Sequence, residues 1–305
     1  MHTSTTSTVP LVSWTVAQLL EATQGYWLND QAPNTEIKRI LTDSRDAEAG
    51  DAFLALKGER FDAHAFITQV AEQGCQVAIV SQPIDAEVCQ LVVPDTRLAL
   101  GQLGAYRRAQ NPQLKVIALT GSSGKTTTKE MLGSILSRIA PTLVTRGNLN
   151  NDLGVPVMLL ELRPEHQYAV MELGASHQGE IDYTSNLVQP LVAGIINIGT
   201  AHLGEFGGRD GICRAKSEIY THIAPNGTSI VPAADDFADS IRQAVQTEQV
   251  LSFGAGGEIF ATEIELQAQS ATFKLNTPQG VRQVNLPFAG EHTVQNSTAA
   301  AAFAL

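Results

Sequence analysis

The chain has 305 residues, a length that accommodates two domains or one large one. Its 43% hydrophobic and 17% charged residues are the make-up of a globular chain able to bury a sizeable core. Lys and Arg number 20 against 31 Asp and Glu, a formal charge of −11, which repels polyanions and sets nucleic acid aside as a general partner while leaving room for small anionic ligands held by local groups.

Ser13 to Gly25 reads as a short helix with Val16, Leu19 and Leu20 on one face. Ile37–Leu41 and Phe53–Leu56 read as strands, Ala63–Gln73 as a helix closed by Gly74, Val77–Val80 and Leu91–Val93 as strands, and Thr96–Ala109 as a helix capped by Asp95. Alternation of this kind predicts an α/β domain with a parallel or mixed sheet. Asn111-Pro112 punctuates the chain and is the best boundary, giving domains over 1–110 and 111–305.

The second part opens with a strand at Val116–Leu119, a loop at Thr120–Gly124 and a helix over Lys125–Ile139. Further strands are expected at Tyr168–Glu172, Val192–Ile198 and Ser229–Val231, and helices over Gly179–Leu187, Gly211–Ile223 and Asp236–Val245. From Ile259 to Leu286 the pattern changes to short alternating β segments, and Thr293–Leu305 reads as a helix. The run Ala299-Ala-Ala-Ala-Phe-Ala-Leu would be exposed and apolar at a natural terminus, so the chain is expected to be a fragment of something longer.

Cys75, Cys89 and Cys213 are too scattered for a disulfide framework and form no C-x-x-C zinc pair, which fits a reducing cytoplasm. No apolar run reaches the ~18 residues of a membrane span, and the N-terminal Ser/Thr-rich stretch lacks the basic and apolar regions of a signal peptide. The expectation is a cytoplasmic monomer that engages neither membrane nor nucleic acid.

The strongest local signal is Val116-Ile-Ala-Leu-Thr-Gly-Ser-Ser-Gly-Lys-Thr-Thr-Thr. An apolar strand runs through Gly121, Ser122, Ser123 and Gly124 into a helix that begins Lys125-Thr126-Thr127. Glycines let backbone N–H groups curl round phosphate oxygens, and the helix N-terminus adds partial positive charge. Lys125 would reach the β/γ phosphates of ATP, and the Thr126 hydroxyl would ligate Mg²⁺. The general pattern G-x-x-x-x-G-K-[ST] asks for glycine at 119, where this chain has Leu119, so the loop is the shorter G-x-x-G-K-T.

Glu172 ends an apolar strand, where a carboxylate can face the phosphates of a ligand in a doubly wound sheet or simply cap the next turn. His202, after another apolar strand, is a candidate metal ligand or polar contact to phosphate, or a structural hydrogen-bonder. Lys216 lies in a predicted helix, where a surface lysine is the ordinary case. Asn148, Asn150 and Asn151 cluster in one segment, as turn formers or as a surface for a polar ligand. In the first domain Ser44 and Arg45, and then Lys57 and His64, follow predicted strands, by turn chemistry or as a second anion site.

Thr42-Asp-Ser-Arg, Phe53-Leu-Ala-Leu-Lys-Gly-Glu-Arg-Phe-Asp-Ala-His, Thr120-Gly-Ser-Ser-Gly-Lys-Thr, Gly147-Asn-Leu-Asn-Asn-Asp-Leu-Gly-Val-Pro, Glu172-Leu-Gly-Ala-Ser-His-Gln-Gly-Glu-Ile, Ala201-His-Leu, Ala215-Lys-Ser-Glu-Ile and Gly290-Glu-His-Thr-Val-Gln-Asn together resemble the Mur ligase family, in the family's order and over nearly the whole chain. The shortened loop is the family's own. The Asn-rich and Glu-Leu-Gly-Ala segments resemble the branch that adds D-alanyl-D-alanine to UDP-N-acetylmuramoyl-tripeptide in peptidoglycan precursor synthesis. Sister Mur ligases, folylpolyglutamate-type ligases and a non-catalytic nucleotide-binding module are the alternatives.

The resemblance implies a first domain that binds the UDP substrate, a second that binds ATP, and a Rossmann-like third, absent here, that helps bind the amine and closes over the site. It implies Mg²⁺ ligation by Glu172 and His202, a role for Lys216 as the lysine carbamylated in related ligases, and adenine contacts from the segment holding His292 and Asn296. The implied reaction forms an acyl phosphate and then an amide. A chain without the third domain is expected to have little activity.

Overall fold

The computed structural model describes residues 12–58, 61–201 and 203–305. The chain divides into two compact units, one comprising residues up to Gln110 together with Leu159–Pro164, the other Asn111–Met158 and Glu165–Leu305.

The first unit runs α1 (Val16–Thr23), β1 (Tyr26–Trp27), β2 (Ile40–Leu41), β3 (Ala52–Leu54), α2 (Ile67–Glu72), β4 (Val77–Val80), β5 (Cys89–Val92) and α3 (Thr96–Ala109). Its sheet has the order β1-β5-β4-β3-β2, parallel except for β1. β3 and β4 are buried along their whole length, which is why they read as continuous apolar runs rather than alternating ones. Asp95 caps α3 by accepting from the Arg97 (2.7 Å) and Leu98 (3.1 Å) amides, a contact worth about 1 kcal/mol.

Differences from the sequence reading have local causes. α1 starts at Val16, not Ser13, because Thr15 and Gln18 form a capping box. The expected strand at Ile37–Leu41 shortens to Ile40–Leu41, and Ile37 makes an isolated antiparallel bridge to the buried Trp14. The expected helix Ala63–Gln73 splits into a 3-10 turn, Ala63–Phe66, capped by Asp62, followed by α2.

The second unit runs β6 (Lys115–Thr120), α4 (Lys125–Leu136), β7 (Thr142–Val144), α5 (Gly154–Leu160), β8 (Tyr168–Glu172), α6 (Glu180–Val188), β9 (Val192–Ile195), α7 (Leu203–Phe206), α8 (Arg209–Ser217), β10 (Thr228–Pro232), α9 (Ala238–Ala244), β11 (Gln249–Phe253), β12 (Phe260–Leu266), β13 (Ala271–Thr277), β14 (Gly280–Leu286) and α10 (Glu291–Ala304). The main sheet is wholly parallel, with the order β11-β10-β9-β6-β8-β7. β12, β13 and β14 form a separate antiparallel sheet. The α/β class with mostly parallel sheets is as the sequence predicts.

α10 lies against α4. Ala299, Ala300, Ala302 and Phe303 join Ile117, Leu119, Leu132 and Ile230 in one buried cluster. Most of the apolar run near Leu305 is therefore core: small side chains let α10 approach closely and bury it. The expected helix Gly211–Ile223 begins earlier, at Arg209, and gives way after Ser217 to a 3-10 turn at Glu218–Tyr220.

Gly194 sits in β9 where an added Cβ would lie 2.4 Å from the Ile230 carbonyl oxygen of β10 and 2.6 Å from Ile230 Cβ. Glycine here permits close backbone approach inside a central strand. Gly194→Ala is expected to lower the unfolding free energy by about 1–3 kcal/mol, read as a shift in the urea midpoint with an unchanged slope.

Candidate active site

β6 carries the chain out of the buried sheet into the turn Gly121–Gly124. Gly124 adopts φ +75°, and a Cβ at that residue would meet Asn296 Oδ1 at 2.3 Å, so both its conformation and its close neighbour on α10 require glycine. No side chain caps the N-terminus of α4. Its first amides are therefore open to an anion, with the helix dipole behind them. The Lys125 ammonium donates to the Gly121 carbonyl (3.0 Å), folding the side chain back over the loop it serves.

Glu172 stands at the end of β8, directly beside β6, and is 1% exposed. The Thr126 hydroxyl donates to its Oε2 (3.2 Å), and Asn150 Nδ2 donates to its Oε1 (2.7 Å). Its backbone N–H donates to Thr145 Oγ1 (3.0 Å), whose hydroxyl donates to the Val170 carbonyl (3.2 Å). Both oxygens of this buried carboxyl group thus have hydrogen-bond donors without a cation beside them. Thr126 and Glu172 thus present hard oxygens side by side, the donor type Mg²⁺ takes, with its remaining positions left to water and phosphate. They fit such an ion. Among the described residues no group of three His, Cys, Asp or Glu could hold a metal, and His202 lies outside the described residues.

Lys216, in α8, is 5% exposed and far from the surface lysine that position alone suggests. Burial, with a smaller contribution from the neighbouring Lys125 charge, pushes its pKa down to about 8.

The three asparagines separate. Asn150 reaches Glu172. Asn151 Oδ1 accepts from the Gly154 amide (2.8 Å) and so starts α5, while Asn148 is exposed. His292 and Asn296 line different hollows. Asn296, Asn197, Asp235 and Gln295 border a cavity of about 320 Å³. His292 joins Thr126, Thr127 and Phe288 along a larger, more open groove.

One residue that motif reading passes over, Asn197, binds the loop directly. Its Oδ1 accepts from the amides of Ser122 (3.1 Å) and Ser123 (3.0 Å) and from the Ser123 hydroxyl (3.4 Å), and its Nδ2 donates to the Ser123 carbonyl (3.0 Å). The available signal is its place just past an apolar strand, the same signal that picks out Glu172.

In the first unit Ser44 and Arg45 follow β2 and Lys57 and His64 follow β3, its parallel neighbour, so both loops leave from the same edge of the sheet. Arg45 is exposed and pairs with Asp43 (2.5 Å), whose carboxyl it holds down to about 2. Lys57 pairs with Asp62 (3.6 Å) and borders a polar cavity of about 890 Å³ with Ser81, Gln82, Asp95, Thr96 and Arg97. His64 is 5% exposed and structural in its contacts. Nε2 accepts from the Ser81 amide (2.9 Å), which leaves Nδ1 to donate to Asp62 (2.5 Å).

A phosphate loop ahead of a helix, a threonine hydroxyl in that helix's first turn beside a carboxylate at the neighbouring strand's end, and a parallel doubly wound sheet define a P-loop nucleotide-binding protein. Comparison with known proteins narrows this. Residues 119–304 match the Mur ligase middle domain and residues 36–117 the Mur ligase family catalytic domain: the chain belongs to the Mur ligase family. It is 43% identical over 298 residues to the UDP-N-acetylmuramoyl-tripeptide–D-alanyl-D-alanine ligase of Escherichia coli, covering 97% of this chain and 65% of that protein. A crystal structure of MurF from Acinetobacter baumannii superposes with a TM-score of 0.95 at 78% identity, over 97% of this chain and 65% of that one. The MurF ligase of Thermotoga maritima in complex with ADP does so with a TM-score of 0.78 at 28% identity, over 86% and 61%. The chain spans about two thirds of the length of these relatives.

Lys216 yields a pH prediction. Its pKa of about 8 in the folded chain lies below the 10.5 of an unfolded lysine, so between these values the unfolded state binds the extra proton and stability rises with pH. The full rise is at most about 3 kcal/mol. The buried thiols of Cys75 and Cys213, whose pKa values are raised, lower stability over the same range in parent and variant alike, so the Lys216 rise is read as a difference: in urea unfolding Lys216→Met should exceed the parent in stability at pH 7.5, and the gap should close by pH 10.

Proposed function

We propose that the chain is the nucleotide- and UDP-substrate-binding part of an ATP-dependent ligase that joins D-alanyl-D-alanine to UDP-N-acetylmuramoyl-tripeptide in peptidoglycan precursor synthesis. The observation that carries this reading is the contact of Thr126 with Glu172 at the mouth of the phosphate loop. It sets a pair of hard oxygens where the triphosphate of ATP would emerge from the open amides of α4. The relatives' names supply the substrates.

In this reading the amides of Gly124, Lys125 and Thr126 bind the phosphates, and Lys125 exchanges the Gly121 carbonyl for a phosphate oxygen. Mg²⁺ held by Thr126 and Glu172, with His202 as the further ligand that the family resemblance implies, would neutralise the triphosphate and the incoming carboxylate. Asn150 would keep the Glu172 carboxyl group oriented through its Oε1. The adenosine end enters the cavity beside Asn296, with His292 at the neighbouring groove. The peptide's terminal carboxylate oxygen attacks the γ-phosphorus and ADP leaves. The amine of D-alanyl-D-alanine then attacks the acyl carbon, phosphate departs, and the amine gives up a proton. Lys216 is the candidate for carbamylation: a pKa near 8 leaves a sizeable neutral fraction, and the neutral amine is the form that adds CO₂.

In the first unit the cavity beside Lys57 is assigned to the UDP moiety, with Ser44 and Arg45 on the adjacent loop. His64 would act through Ser81 and Asp62 rather than by touching substrate. Amide formation is assigned to a protein that also has the part of the relatives this chain does not span, where the family's third domain delivers the amine.

Isothermal titration of the 305-residue chain should show binding of MgADP and of UDP-N-acetylmuramoyl-tripeptide, with little amide product when ATP and D-alanyl-D-alanine are added. Efficient product formation would refute the division of labour, and absence of heat with either ligand would refute the site. Lys125→Ala should weaken MgADP binding by about 100-fold, the scale of a charge-assisted phosphate contact, with the thermal midpoint unchanged within a few degrees. Lys57→Ala should weaken the UDP-peptide alone.

A further inference from the structure

Six backbone N–H groups lie in the loop and first turn from Ser122 to Thr127, and the structure divides them into two sets. Those of Ser122 and Ser123 are taken up by Asn197, whose carboxamide oxygen sits between them in the concavity that successive amides form for an anion. Those from Gly124 onward meet no side-chain cap. Asn197 also grips the next peptide group, Ser123–Gly124, through its Nδ2 bond to the Ser123 carbonyl, and the Ser122 amide is shared with the Asn197 main-chain carbonyl (3.1 Å).

Asn197 is itself fixed. The next residue, Ile198, donates its amide to Asp235 Oδ2 (2.8 Å), and its carbonyl accepts from Arg209 Nη2 (2.8 Å). Arg209 in turn pairs with Asp236 (2.9 Å) and lies 4.9 Å from the Phe237 ring centre. Packing leaves the loop little freedom to move away from this strap. An added Cβ at Gly121 would lie 3.1 Å from Ile196 Cβ, and one at Gly199 would lie 3.0 Å from Ser122 Cβ.

We infer that Asn197 is a positioning residue for nucleotide binding: by occupying the Ser122 and Ser123 amides it holds a loop with glycine at both ends in the one shape that leaves the amides of Gly124, Lys125 and Thr126 facing the phosphates. A loop of composition Gly-Ser-Ser-Gly has many alternative conformations, and a nucleotide that had to order it would bind more weakly by the population of the competent form. Holding the loop beforehand removes that loss. The inference rests on the ATP-site reading above and adds to it a residue that acts on phosphate binding through the loop it holds.

The test compares parent, Asn197→Ala and the isosteric Asn197→Asp by MgADP titration, hydrogen exchange at Ser122 and Ser123, and thermal midpoint. Asn197→Ala should lose protection at both amides and bind MgADP about tenfold more weakly. Asn197→Asp can still accept from both amides, so protection should persist. It cannot donate to the Ser123 carbonyl and sets a carboxylate near the phosphates, so MgADP should weaken by more than tenfold with a midpoint close to the parent's. Should Asn197→Ala fail to fold, the neutral Asn197→Ser, too short to reach both amides, carries the test by the same loss of protection and of MgADP affinity. MgADP affinities within twofold of the parent in the folded variants would overturn the inference while the ATP-site reading stood. A parent that does not bind MgADP would overturn both.

Discussion

The position of β6 between β8 and β9 is the constraint on which the site depends. In a parallel sheet all carboxyl ends point the same way, so the residues following these three strands meet along one edge whatever their separation in sequence. The chain leaves β6 toward β7 and β8 on one side and then crosses to β9 on the other. The two directions part at β6, and a crevice opens there of the kind that binds nucleotides in doubly wound folds. The loop Gly121–Gly124, the carboxylate of Glu172 and the carboxamide of Asn197 gather at those three strand ends. One register shift between β6 and either neighbour would separate Thr126 from Glu172 or the Ser122–Ser123 peptide from Asn197.

The charge of the whole chain says little about this edge. A molecule with a formal charge of −11 places two lysines, Lys125 and the buried Lys216, close enough for one to depress the other's pKa. Before an anion arrives Lys125 is satisfied by a carbonyl of its own loop and Glu172 by two neutral donors. Neither arrangement is an ion pair, so a bound metal and phosphate need not first break one, and the exchange costs less than separating opposite charges in a buried setting. Lys216 is the exception. Among the described residues its ammonium makes no hydrogen bond or ion pair, and burial bears directly on its proton.

Much of this is legible in the chain itself. The strands β4 and β8 and the helix α3 have the bounds their residues predict because they are continuous apolar runs or carry an explicit cap, Asp95. The phosphate loop is legible because its glycines, lysine and threonine follow one another. Less legible are β1, β7 and β11, which the pattern does not anticipate: β1 is two residues long, β7 three, and β11 is half exposed at the sheet's edge. Asn150 cannot be told from Asn148 and Asn151 by sequence, since three neighbouring amides carry one signal and the turn of the chain decides which reaches Glu172. His64 looks like a ligand-facing residue because its partners, Asp62 and the Ser81 amide, become visible on folding. Lys216 looks like a surface residue because a helix of mixed polarity does not announce that its lysine faces inward.

α10 shows why site and core cannot be separated here. Its C-terminal half supplies Ala299, Ala300, Ala302 and Phe303 to the central cluster. One turn earlier the same helix sets Asn296 against Gly124, so close that the loop can carry no side chain there, and its first turn brings His292 to the groove beside Thr126. The apolar residues fix the helix against α4, and the rigidity of that packing carries Asn296 to within contact of the loop. With Asn197 on one side and Asn296 on the other, the phosphate loop is held by two carboxamides, one rooted in the sheet and one in the helix that covers it. Neutral side chains suit both positions, because a carboxylate in either place would compete with phosphate for the amides, and an ammonium would compete with Lys125.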